Sequence, residues 1–164
     1  MRRRGVFTAF EKGVNKMWFA GSVALLRVSM GVMFLGAGLS KMQDWTAAGY
    51  LTAATGPLAP WFQSMAGSAL IDTLNIWGLT CIGISLILGF LVRPAACFGI
   101  ILMVLYYLSD FEGNTAHGYI DSHLIYSGIF LMMLSGGFGN IFGLNEIVKR
   151  SLRKKKGIVP FLLG

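Results

Sequence analysis

The chain has 164 residues, of which 55% are hydrophobic and only 13% charged, with a formal net charge of +7. Soluble domains carry about 25% charged residues, so a deficit this deep leaves too little polar surface and excludes a soluble globular domain. The positive balance does not point to nucleic acid either: twelve of the fourteen Lys and Arg residues fall at Arg2 to Lys16, at Arg93 and at Lys149 to Lys156, each beside an apolar stretch, which is the pattern of a membrane topology signal.

Residues 1–17 are basic, with Val6, Phe7, Phe10, Val14 and Met17 at near-helical spacing. That pattern predicts a surface helix on the cytoplasmic leaflet. A first span follows over about 18–39, long enough to cross the hydrocarbon. It is too long for a cleaved signal peptide and is followed by further spans. Arg27 lies within it, roughly 13 Å deep at 1.5 Å per residue. A guanidinium cannot shed its proton there and must face the interior. Two kinds of partner fit: a ligand head such as a quinone oxygen or a sulfur oxyanion, or a structural partner, either helix-end carbonyls or a buried acid.

The connection over 42–69 is uncharged through its middle and carries Trp45, Tyr50, Trp61 and Phe62. It reads either as a cap over the outer mouth of a bundle or as an aromatic anchor at the lipid interface. The second span, about 70–91, holds Asp72 near its outer end, with Asn75 three residues on along the same face. A "VRP" turn leads to the third span, about 94–108, with Pro94 fitting a first helical turn. The fourth span covers about 120–138. The tail, 145–164, is polybasic and ends apolar. An even number of spans puts all three basic clusters on one side, so the expected fold is an all-α integral membrane protein, a four-transmembrane-helix bundle over 18–144 with both termini cytoplasmic.

Both histidines lie in "AHGYIDSH", as His117 and His123, with Asp121 between them. Tyr126 and Ser127 continue the His123 face into the fourth span. Lys41 and Asp72 fall at the same outer level. Three readings stand open: a metal site using His117, Asp121 and His123, a proton relay or ligand-head site using His123 and Tyr126, and an N-cap latch at Asp121 or Ser122. The ligand count speaks against a self-sufficient metal centre. Cys81 and Cys97 sit at different estimated depths, so they read as small core residues without a disulfide. Two cysteines and two histidines also give no ligand set for a haem or an iron–sulfur cluster.

Two stretches carry a family likeness: "LLRVSMGVMFLGAGLSKM" in the first span and "HGYIDSHLIYSGIFLMML" at the fourth. The chain resembles the DoxX-like family, close to the DoxD membrane subunit of thiosulfate:quinone oxidoreductase. The resemblance implies a four-helix membrane subunit serving a redox complex that passes electrons to quinone. Matching positions are Arg27, Gly31, Lys41, Asp121, His123 and Tyr126. Related subunits often read Asp-Glu-His where this chain has Asp121-Ser122-His123.

The expectation is therefore a prokaryotic plasma-membrane subunit of a quinone-linked oxidoreductase, with a quinone and no covalently bound cofactor. Its site would use His123, Tyr126 and Asp121 for proton chemistry, and Arg27, Lys41, Asp72, Asn75 and His117 for the ligand. Membrane lipid and other membrane subunits are the expected partners, and nucleic acid is not. The alternative is a non-catalytic scaffold subunit of a larger assembly.

Overall fold

A computed structural model describes residues 16–116 and 118–152. The basic start before Lys16, His117 and the tail beyond Leu152 lie outside the described residues, and with them the surface-helix reading of the first segment. The described chain is helical: α1 Lys16–Leu39, α2 Ala48–Thr52, α3 Ala59–Ser64, α4 Ala69–Leu88, α5 Val92–Ser109, α6 Phe111–Thr115, α7 Ser122–Ser135, a 3-10 turn Phe138–Asn140, and α8 Leu144–Leu152.

Three helices are long and apolar enough to cross a membrane: Met17–Leu39, Ala69–Leu88 and Val92–Ser109. The fourth expected span is apolar but shorter, because Asp121 caps its start and glycines end it. The carboxylate of Asp121 accepts the Leu124 N–H at 3.1 Å, and the chain turns off at Gly136 and Gly137, the latter with φ 61. The resulting 14 residues rise roughly 21 Å, less than the ~30 Å of a hydrocarbon core.

The bundle consists of two helix pairs, α1 with α4 and α5 with α7, joined by the α4–α5 turn. Glycines set the first pair. A Cβ on Gly83 would lie 2.7 Å from the Leu35 Cα, and one on Gly38 would lie 2.8 Å from the Thr80 N. Small residues allow this backbone approach, which is the usual basis of helix association in lipid. These two contacts also fix the register. The last turn of α1 meets the middle of α4, so the two helices are offset along their axes. The first half of α1 projects past the end of α4 and leaves Met17, Trp18, Phe19 and Leu25 exposed.

Between the pairs, Phe34 of α1 meets Phe130 of α7 edge-on, with ring centroids 5.1 Å apart. Leu86, Val92, Ala96, Met103 and Met133 complete the buried core. Cys81 and Cys97 are free and exposed on the outside of the bundle. The expectation that they are core residues is corrected: both occupy outward positions of their helices, where apolar surroundings suit a thiol.

The segment between α1 and α4 folds over one end of the bundle. Ala47, Leu51, Ala54 and Phe62 are buried there, packed on Ile71, Leu105 and Leu108. Backbone bonds hold it down. Asp72 Oδ1 accepts the Ala47 N–H at 2.7 Å, and the Thr55 N–H donates to the Ser109 carbonyl at 3.0 Å. The opposite end is closed by the α4–α5 turn. Gly89 takes φ 62, and Leu91 follows at φ 54. The latter costs a non-glycine residue about 1–2 kcal/mol. Asn145 of α8, fully buried, offsets this by accepting the Leu91 N–H at 3.1 Å, while its own N–H donates to the Gly89 carbonyl.

Candidate functional site

A cavity of about 710 Å³ lies under the cap, between the two helix pairs. Its wall is apolar, built from Met33, Phe34, Leu51, Phe62, Leu74, Leu79 and Met103 among others. Its polar groups are few: Lys41, Tyr50, Asn75, Tyr106, Ser109, His123 and Tyr126. A large apolar enclosure with a few convergent polar atoms is what small-molecule sites look like.

Each polar group is held by its neighbours. Tyr106 donates to Asn75 Oδ1 at 2.8 Å. The Asn75 oxygen is thus engaged, and its amide N–H groups remain for another acceptor. The Tyr106 ring stands edge-on to His123, with centroids 5.8 Å apart. His123 Nδ1 is hydrogen-bonded to Asp121 Oδ2. A carboxylate on one ring nitrogen fixes the imidazole and leaves Nε2 for a second partner. Burial pushes the Asp121 carboxyl up, but its bonds from His123 and from the Leu124 N–H outweigh this and hold it below the usual carboxylate range. Asp121 is therefore ionised beside the imidazole at neutral pH.

Tyr126 reaches the same cavity, its ring edge-on to Phe34 at 6.5 Å. Tyr50 donates to the Tyr106 carbonyl at 3.2 Å, and the Ser109 hydroxyl lies 2.9 Å from the Tyr50 oxygen. Burial raises the Tyr50 phenol, so it stays a neutral donor. Lys41 lies over Trp45, 4.5 Å from the ring centroid, and burial lowers its ammonium group from the ordinary lysine value.

The structure brings together Lys41, Asn75, His123 and Tyr126, with Asp121 behind His123. It does not bring Arg27 or Asp72 to them. Asp72 is engaged by the cap backbone and is not part of the cavity wall. Arg27 lies at the turn end, 2% exposed. Its Nη1 donates to the Phe138 and Ile141 carbonyls, each at 2.8 Å, and its Nη2 to the Phe142 carbonyl at 3.1 Å. Nε is buried without a partner among the described residues. The reason is the offset between α1 and α4, which sets Arg27 beside Gly89 at the end of the bundle. His117 lies outside the described residues. Among the described residues no three His, Cys, Asp or Glu side chains group to hold a metal ion.

Tyr106 is the cavity residue that spacing along the sequence does not find. It lies 31 positions from Asn75, beyond any local spacing rule. Its one sequence signal is its tyrosine type, since a buried phenol needs a hydrogen-bond partner.

Fold and cavity define a helical membrane protein with a ligand-sized chamber under a folded-over cap. Within that class the chain belongs to the DoxX family, whose match covers residues 22–109, and whose members are often membrane subunits of oxidoreductase-related systems. Lys41, Asn75 and Tyr106 fall inside the match, and His123 and Tyr126 fall beyond it. No curated protein and no solved structure matches the chain.

Proposed function

We propose that the cavity receives the head of a quinone, in a membrane subunit of a quinone-linked oxidoreductase complex of a prokaryotic plasma membrane. The observation that carries this is the cavity itself: an apolar chamber of about 710 Å³ whose polar groups include Asn75, Tyr106, His123 and Tyr126. A quinone head is a flat apolar ring with an oxygen at each end, and it needs such a wall with hydrogen-bond donors set into it. The Asn75 amide donates to one oxygen. His123, oriented by Asp121, gives or takes a proton at another, and Tyr126 lines its path. The electrons come from partner subunits. In this reading the basic turn end faces the cytoplasm and the cap faces outward. The nearer likeness to the DoxD subunit of thiosulfate:quinone oxidoreductase belongs to the same reading and rests on the stretches quoted above.

His123→Ala is expected to abolish quinone-linked turnover of the purified complex while leaving its subunit composition intact. Unchanged turnover contradicts the proton role.

A second reading, a non-catalytic scaffold subunit, is favoured by the exposed half of α1. Met17, Trp18 and Phe19 are each at least 60% exposed, an apolar face suited to another membrane subunit. Recovery of the protein as an active oligomer of this chain alone counts against it.

A further inference from the structure

We infer that the cavity is loaded sideways from the bilayer, through the flank between α4 and α5 past Leu74, and that its ligand is a lipid-dissolved molecule whose long apolar tail lies in that opening. The inference rests on the reading of the cavity as a quinone-head site and adds the route and the tail.

Leu74 lines the cavity and is nevertheless 59% exposed. It is the most exposed of the lining residues, ahead of Trp61, Tyr50 and Met33, so the wall is most open there. Leu74 is nine residues before Gly83, half a helical turn out of phase at 100° per residue. Gly83 is the residue in contact with α1, so Leu74 points away from that helix, on the flank toward α5. Leu74 belongs to an apolar span, so the medium outside it is hydrocarbon rather than water.

The cap lies across the route from water, with Trp61 and Tyr50 at its surface. Phe62 and Leu51 are buried under the cap, and the Asp72–Ala47 and Thr55–Ser109 bonds fasten it. The cavity also exceeds what an aromatic head fills, and most of the remaining wall offers apolar contact. A tail continuing into lipid gains that contact without losing hydration.

The test uses the full chain in lipid nanodiscs and two tritiated probes, a farnesyl-tailed benzoquinone and its tail-free counterpart, with binding followed by scintillation proximity. In Leu74→Trp, association of the tailed probe is expected to slow by about tenfold or more, with little change for the tail-free probe. Persistence of tail-free binding shows that the variant is folded. Leu74→Ala widens the opening and is expected to speed the tailed probe. Phe98→Trp, at a lipid-facing position of α5 outside the cavity wall, is expected to leave both unchanged. Tailed association unaltered in both Leu74 variants, or slowed equally by Phe98→Trp, overturns the route while the head site stands. Wild-type binding of the tail-free probe alone overturns the tail. Failure of wild type to bind either probe overturns the head site as well.

Discussion

The Tyr106 hydroxyl donates to Asn75 Oδ1 at 2.8 Å, joining α5 to α4 inside the cavity. The bond fixes the amide so that its N–H groups are the ones left to donate. Tyr106→Phe keeps the ring against His123 and removes only the bond. Quinone affinity is expected to fall by about fivefold, the equivalent of roughly 1 kcal/mol for one neutral hydrogen bond. Asn75→Leu, which removes the donor itself, is expected to cost more. Equal affinity in all three proteins contradicts a role for the amide.

Asp121 has two tasks that substitution separates. It caps α7 through the Leu124 N–H, and it holds His123. Asparagine is an equally good cap, whereas alanine loses about 1 kcal/mol. Asp121→Asn is thus expected to melt near the wild-type temperature at pH 7 yet lose most quinone-linked turnover. Asp121→Ala is expected to lose both.

The same carboxylate gives a pH dependence of stability. Its folded value lies below the ordinary one, about 3.9 for an unfolded aspartate. Its contribution is complete above that unfolded value and disappears as pH falls through the lower folded value. Melting curves in detergent are expected to show wild type losing stability more steeply than Asp121→Asn below about pH 4. Parallel acid limbs contradict the assignment.

Arg27 serves the fold. Arg27→Met strands the buried carbonyls that the guanidinium satisfies, at a cost on the order of 3 kcal/mol. Arg27→Lys keeps the charge but not the fork of donors and is expected to recover part of the loss. Proteolysis at 136–143 should accelerate in both, with quinone affinity of the folded fraction unchanged. A loss of affinity without a loss of melting temperature places Arg27 at the ligand instead.

Helix pairing rests on Gly83. Gly83→Val drives a branched side chain into the Leu35 backbone and is expected to lower the melting temperature sharply. Gly128→Ala, with nothing within 4 Å of the added carbon, is expected to be neutral or slightly stabilising, since alanine favours a helix by up to about 1 kcal/mol.

Much of this was legible in the sequence, because hydropathy and length act locally. The first three spans appear within a few residues of their expected places, and the spacing of Asp121, His123 and Tyr126 put them near one another. What was not legible depends on distant packing. The offset of α1 against α4 is set by glycine contacts such as Gly83 with Leu35, and it decides that Arg27 meets the 138–142 carbonyls. Carbonyl partners were among the alternatives its burial allowed. Asp72 carries the right charge at the right level, yet the cap backbone takes it. Asn145 looked like part of a polar tail, and its bond to Leu91 spans 54 positions.

The most direct measurement is photolabelling of the nanodisc-embedded protein with an azidoquinone, followed by peptide mapping of the adduct. Labelling is expected to be saturable, to be displaced by unlabelled quinone, and to fall on cavity-wall residues such as Met33, Trp45, Met65 and Tyr126. Adducts spread over lipid-facing residues such as Trp77, Phe98 and Leu131, with no displacement, contradict a quinone site under the cap.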